Sequence, residues 1–452
     1  MRRRFYALVG VIALLVVSVG VAATYHQASL GSVGGLGGPG GTDSVTTQTS
    51  SSASATCTQS EGLANASSTK SDTVLASPNP QERGLFGLPV AISGDLTAVG
   101  AQGESADGWC NGGHAFVFNF TDGALVYSLT SPSPQNDAQF GSSVALNRNI
   151  LLVGAEGESA GGVYAFNAST GGFLYKLTNP APQSQEFFGG EISVSGDIGA
   201  VSTLGVNFTG LGSEGNVYLY NVTDGALMRT LTSPNAQAGG DFGISIGISG
   251  GEVIVGAPNE NSGIPVNGGN SSQGFTTEGY VYIFNASAGA LISTFAGPNG
   301  PALGDSDIGF GNSVAVSGNL TLIGTGNGGR AYVYDSTTGQ LLQTLREPNP
   351  TENGLNGGVA VAGDVLVVGA SGETAAGESG AGNVYLFNAT TGTVIQTLSS
   401  QNPQPLGNFG YSLATNGEYL VVGAQGESVD GYAHAGHAYL FNLSQLASTA
   451  TG

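Results

Sequence analysis

From residue 71 onward the chain alternates short apolar runs, roughly four to eight residues each, with clusters of Gly, Asn, Asp, Ser and Pro. SSVALN, ILLVGA, VYAFN and FLYKL make one set of four between Ser142 and Leu177. The third run returns as AFVFN, VYLYN, VYIFN, AYVYD, VYLFN and AYLFN. Aromatic and β-branched residues alternating at period two predict strands with both faces occupied. Tight turns join the first two runs at Gly94-Asp95, Gly196-Asp197, Gly318-Asn319, Gly363-Asp364 and Asn416-Gly417, residues that tolerate positive φ. The fourth run follows a five-residue turn such as Asn388 to Gly392. After residue 25 nothing carries a 3.6-residue period with caps, so helix is expected to be nearly absent.

The four-strand unit recurs. Phe-Gly opens it at Phe86, Phe140, Phe188, Phe242, Phe310 and Phe409, with Leu355-Asn356 in the sixth place. A step of about fifty residues is that of a four-stranded propeller blade with generous loops. The last copy stops at Ala438-Tyr439-Leu440-Phe441-Asn442 with no fourth strand, while Thr73 to Pro80 (TVLASPNP) matches Ser128 to Pro134 (SLTSPSP). The expected fold is therefore all-β: a seven-bladed propeller over 71–446, closed by an N-terminal strand that completes the last blade, followed by a disordered tail over 447–452. Closure of this kind protects terminal edges, whereas a linear solenoid would need capping repeats.

Ahead of the repeats, Arg2, Arg3 and Arg4 precede an apolar run from Phe5 to about Thr24, which predicts a signal peptide or membrane-anchor helix over 1–24. Residues 25–70 are rich in Gly, Ser and Thr and predict a flexible stalk. Export follows, with an extracellular or cell-surface location and membrane attachment if the helix stays uncleaved. In that compartment Cys57 and Cys110, the two cysteines of the chain, are candidates for a disulfide.

Composition narrows the function. With 10 Lys+Arg against 31 Asp+Glu, no basic stripe can be assembled, so nucleic acid is not an expected partner. Hydrophobic residues at 40% suffice for a sizeable core, and 77 glycines without a three-residue period exclude collagen. The low lysine content and acidic balance suit a salty or an acidic habitat equally.

The run Phe-Gly-x-Ser-Val-Ala, then Gly-Asp, Val-Gly-Ala and Val-Tyr-x-Phe, resembles the FG-GAP repeat. That resemblance covers 71–445 and implies a propeller like the one in integrin α-subunits and microbial surface proteins, used for adhesion or recognition. Integrin-type repeats often place a calcium loop between their first two strands. Here the connection shrinks to Ser-Gly-Asp, so calcium binding is not carried over, and Asp95, Asp197 and Asp364 read as turn residues. The Asn388 to Gly392 turn also resembles the strand turn of quinoprotein propellers. Those depend on docking tryptophans, whereas this chain has one, Trp109, so no cofactor is expected.

In such a blade the 2–3 and 4–1 connections share one face and the 1–2 and 3–4 turns the other. The variable 2–3 loops (101–113, 203–215, 257–279, 370–382 and 424–436) make the first face the expected site for a protein or glycan ligand. Neighbouring copies seven and one bring His114, His434 and His437 into the same region as Glu104, Asp107, Glu427 and Asp430, residue types that bind zinc. Because His114 and His437 hold equivalent positions, they should sit a blade apart, and polar loop contacts are the expectation. On the opposite face, Asn119, Asn167, Asn221, Asn285, Asn388 and Asn442 begin Asn-x-Ser/Thr turns; Asn65, Asn207, Asn270 and Asn319 complete the candidate glycosylation sites. Turn chemistry alone also explains the pattern, since Asp335 replaces asparagine in copy five. No nucleophile elbow, zinc-protease helix or phosphate loop is present, so an enzyme is not expected. The alternatives are a self-assembling envelope or filament component and a carbohydrate-active enzyme using the Gly-Glu-Ser carboxylates.

Overall fold

The computed structural model describes residues 73–182, 186–205, 214–261, 279–298, 309–326, 329–349 and 354–449. The expected leader, stalk and Cys57, with Asn65, Asn207 and Asn270, lie outside these residues.

Among the described residues the strands form seven antiparallel sheets of four. Blade one runs from Val90 to Leu129, blade two from Phe140 to Leu177 and blade three from Glu186 to Thr232. Blade four spans Ser245 to Ala296, blade five Ser313 to Arg346 and blade six Val359 to Ser399. In these six the strand order follows the sequence. Blade seven combines Leu413–Thr415, Tyr419–Ala424 and His437–Asn442 with Thr73–Ala76, which pairs Val74 with Tyr439 and Leu75 with Ala438. The chain is thus a closed seven-bladed propeller, as the complementary sequence ends predict.

The core is a set of wedges between blades. Each of the seven seams holds its own apolar cluster. The closing seam joins Leu75, Val421 and Leu440 to Phe86, Val99 and Phe116. Two parts of the repeat follow from this packing. The phenylalanine is fully buried against alternate aromatic residues of the third strand, as where Phe140 meets Tyr164 and Phe166 at 6.0 Å. The following glycine adopts positive φ (Gly141, 89°), where a side chain would collide with the His114 carbonyl. On the second strand Gly100 faces the Gly141 carbonyl of the next blade, which leaves no room for a Cβ.

The outer strands are bulged at one place in blades one to six, where Val126, Leu174, Met228, Ile292, Leu342 and Ile395 fall out of register. The bulge interrupts an otherwise open sheet edge and turns consecutive apolar side chains outward, with Leu125 and Val126 at 43% and 45% exposure.

One expectation is corrected at the C-terminus. Leu443–Thr449 is a helix, where the sequence reading has the end of the last blade and a disordered tail. The Asn442 Oδ1 accepts the Ser444 and Gln445 N–H groups, so the turn asparagine of the repeat acts here as an N-cap. Leu443 and Leu446 then pack onto blades six and seven. Seven residues are too few for a periodic signal.

If ring closure depends on the N-terminal strand, Leu75→Ala should lower stability by about 2–5 kcal/mol, measured by denaturant unfolding, because a fully buried leucine leaves a cavity in the closing seam.

Candidate functional site: the loop face

The face carrying the 2–3 and 4–1 connections is built on a repeated carboxylate. Glu104, Glu260, Glu373 and Glu427 are fully buried and Glu158 nearly so, each three residues past the end of its second strand. In its own blade the carboxylate meets the third strand. Tyr164 donates to Glu158 Oε1 (2.6 Å), Tyr385 to Glu373 Oε2 (2.7 Å), Tyr439 to Glu427 Oε2 (2.6 Å) and Tyr282 to Glu260. Across the seam four of the five meet a serine that follows the preceding outer strand, whereas Glu347 stands in that place before Glu373: Ser131 donates to Glu158 and Ser400 to Glu427. Ser77, just past the closing strand, stands in the same place beside Glu104, and Ser233 beside Glu260. The serine is held by its own turn, as where Ser131 Oγ accepts the Ser133 N–H (3.1 Å). A glutamine further along completes the clamp: Gln81 accepts the Ser105 N–H (2.8 Å) and donates to the Ser105 carbonyl (3.1 Å), and Gln404 treats Ser428 alike. The serine and the glutamine four residues after it, Ser77 with Gln81 and Ser400 with Gln404, therefore grip the Gly-Glu-Ser loop of the next blade.

Sequence reasoning missed this role, although the copies carry a signal for it. Where copies three and five lack the glutamate, with Val206 and Gly328 in its place, the preceding serine is also gone, as Asn179 and Gly297.

On this support blades six, seven and one carry matching two-residue hairpins, bridging Ala375 to Glu378, Val429 to Tyr432 and Ala106 to Trp109. Their central residues, Ala376-Gly377, Asp430-Gly431 and Asp107-Gly108, all have positive φ, as a tight hairpin of this twist requires. Three backbone bonds then tie each loop to the start of the next blade. At the closing seam these are Arg83 to Ala433 (2.8 Å), Leu85 to His434 (3.1 Å) and Phe86 to Ala435 (2.9 Å), all as N–H to carbonyl. The same ladder joins Ser379–Ala381 to Leu406–Phe409, and Cys110–Gly112 to Asp137–Phe140. The result is a rigid three-blade platform bearing Glu378, Tyr432 and Trp109, the last 39% exposed.

The sequence-predicted residues fall as follows. Glu104 and His114 meet, Oε2 to Nδ1 at 2.9 Å, and Glu427 and His437 repeat the pair at 2.8 Å one blade away. His434 Nδ1 lies 3.0 Å from the Gly426 carbonyl, while Asp107 and Asp430 sit exposed on hairpin tips. Among the described residues no three His, Cys, Asp or Glu side chains converge on a metal position. The Gly-Glu-Ser carboxylates occupy separate seams. Cys110 is disulfide-bonded. On the opposite face the turn asparagines accept hydrogen bonds through Oδ1, as Asn119 does from the Thr121 N–H (2.8 Å) and Asn167 from the Ser169 and Thr170 N–H groups (3.0 Å each). Asp335 does the same for Thr337 and Thr338.

Several acids that packing removes from water hold their protons more tightly than usual. Desolvation pushes the Glu156 carboxyl up to about 8; desolvation and then the nearby Glu156 charge do the same to Glu191. Desolvation also raises Glu104, Asp241 and Glu260.

Seven four-stranded blades closed by a shared sheet define a β-propeller, a fold suited to protein interaction and recognition. The FG-GAP repeat family model matches residues 395–441, from the outer strand of blade six through the blade-seven strands, and the whole architecture fits an FG-GAP repeat propeller protein. No curated protein matches the chain.

Two outcomes test these assignments. Glu427→Ala should destabilise by about 2–4 kcal/mol, with Ser400→Ala adding less in the double variant than alone, because both remove one buried network. Folding takes up protons wherever a native carboxyl pKa is raised. The contribution of Glu156 and Glu191 is therefore complete below the ordinary value near 4.5 and lost as pH rises through about 8. Without divalent ions, the melting temperature should fall between pH 5 and pH 8, and Glu191→Ser should flatten that fall.

Proposed function

We propose that the chain is an exported cell-surface propeller that recognises a protein or glycan through its loop face. The observation that carries this reading is the platform of stapled hairpins on blades six, seven and one. An exposed indole, a second aromatic residue and flanking carboxylates on a rigid support suit contact with a sugar ring or a protein side chain. The arginine-flanked apolar segment over residues 5–24 supports export, with membrane attachment if it remains. The turn asparagines support a glycosylated opposite face in that compartment: Asn119, Asn167, Asn221, Asn285, Asn388 and Asn442 are held through Oδ1, and among the described residues none accepts from their Nδ2 groups.

A second reading, a self-assembling envelope component, draws on a different observation. The bulged outer strands expose paired apolar side chains around the rim, including Phe173 with Leu174 and Leu291 with Ile292.

Binding of the purified chain to glycan and protein arrays separates the two. Recognition predicts a ligand whose affinity falls about tenfold, roughly 1.4 kcal/mol, in Trp109→Ala. Absence of any ligand, together with assembly that Leu174→Ser disrupts, would favour the envelope reading.

A further inference from the structure

Blade one departs from the repeat beneath the hairpin that carries Trp109. At one position of the third strand the other six blades have a tyrosine: Tyr164, Tyr218, Tyr282, Tyr332, Tyr385 and Tyr439. In blades two, four, six and seven that hydroxyl donates to the buried glutamate. Blade one has Phe116 there, equally buried and with no hydroxyl to donate. Glu104 is nonetheless as buried as its counterparts, so its carboxylate must find another partner or hold a proton.

What faces it is His114, which opens the same strand. The His114 Nδ1 lies 2.9 Å from Glu104 Oε2, but the two are not aligned for a hydrogen bond. Ser77 is near enough to ease the charge, yet both carboxylate oxygens are left without an aligned donor. The imidazole is stacked on Phe116, ring centres 5.4 Å apart. Blade six solves the same problem without a titratable partner: Asn383 Nδ2 donates to Glu373 Oε2 at 2.6 Å, beside the Tyr385 hydroxyl. In blade seven a histidine recurs as His437, but there Tyr439 and Ser400 also donate to Glu427. Of the five clamped glutamates, Glu104 alone depends on an imidazole.

The pair stands at the base of the hairpin. The Gly113 N–H donates to the Glu104 carbonyl (2.8 Å), Ala106 and Trp109 bridge above it, and the Gly112 carbonyl accepts the Phe140 N–H (3.0 Å). On the surrounding elements, Glu82 and Arg83 follow the closing strand, Asp107 lies on the hairpin tip and Asp137 at the entry to blade two, all four exposed to water. Across the closing seam stand His434, at the Gly426 carbonyl, and the Glu427–His437 pair. His114 is the charge that acts on Glu104.

We infer that Glu104 and His114 form a proton-dependent latch, in which one shared proton secures the Trp109 hairpin and its loss loosens it. Two arrangements hold the proton: a carboxylic acid donating to a neutral imidazole, or an imidazolium paired with a carboxylate. Either leaves no unpaired charge in the seam. Deprotonation leaves a buried anion against a neutral ring, with no tyrosine to support it. Desolvation pushes the Glu104 carboxyl up, so folding takes up the proton; the stabilisation is complete below the ordinary value near 4.5 and lost as pH rises. The loss falls where an imidazole discharges, about pH 5 to 8. A part for the latch in ligand binding rests on the proposed recognition role of the loop face; the latch itself does not.

Hydrogen exchange of the full chain without ligand, from about pH 5 to about 9, tests this across the imidazole range. The Ala106–Trp109 hairpin is read against its blade-six counterpart, Ala375–Glu378, so that the intrinsic pH dependence of exchange cancels. Fluorescence of Trp109, the single tryptophan, is a second readout. Relative protection of the blade-one hairpin should fall at least about tenfold as pH rises. His114→Asn installs the residue of blade six, and Phe116→Tyr that of the six other blades while keeping His114. Each should abolish the fall and keep the hairpin protected at high pH. No fall in the wild type, or a fall unchanged in both variants, overturns the latch. A fall that both variants abolish, in a chain that binds no ligand on the arrays, supports the latch and counts against the recognition role.

Discussion

A carboxylate buried where two blades meet is the interaction on which the loop face depends. Removing such a group from water is unfavourable unless it is well partnered, and one blade cannot supply all the partners. Glu427 takes Tyr439 from its own sheet and Ser400 from the preceding blade, so its burial is satisfied only when the two blades are docked. Apolar wedges provide most of the attraction between blades, but such packing tolerates small slides. Directed hydrogen bonds to a fixed serine do not. At the seams that carry it, the clamp sets the rotation of one blade against its neighbour.

Rigidity at the seams is what makes the outer loops usable. The hairpins on blades six, seven and one sit directly above clamped glutamates, and their backbones are bonded to the start of the next blade. A ligand that met Trp109 or Tyr432, as proposed, would leave little conformational entropy to be lost. The closing seam lies within this platform, so the N-terminal strand that shuts the ring also shapes the loop face through Ser77 and Gln81.

Where the clamp is missing, blades three and five depart from the pattern in other ways. Blade three is the more informative, because it has Glu191 where four other blades have an inter-blade serine. The seam is thereby made sensitive to charge rather than merely packed. Desolvation likewise pushes up the carboxyls of Glu104, Asp241 and Glu260.

The fold was legible because its signals are local and repeated. Period-two apolar runs, paired turn residues and the match between Thr73–Pro80 and Ser128–Pro134 specify strands, blade count and closure without knowledge of any contact. The helix at Leu443–Thr449 escaped because one short turn-and-a-half has no period to read. The candidate site was legible only as a face. His114, His437 and Glu104 read as possible ligands, and the Gly-Glu-Ser carboxylates as possible acids, because residue type alone cannot distinguish a free group from one consumed by a partner. Those partners lie outside the local pattern: Ser131 reaches Glu158 across one blade boundary, and Ser400 reaches Glu427 across another. The amino-acid order thus determined the strands and the ring they close. The packing of one blade on another decided which carboxylates are satisfied and which remain available for chemistry, because a buried charge takes its character from neighbours that only the folded chain brings together.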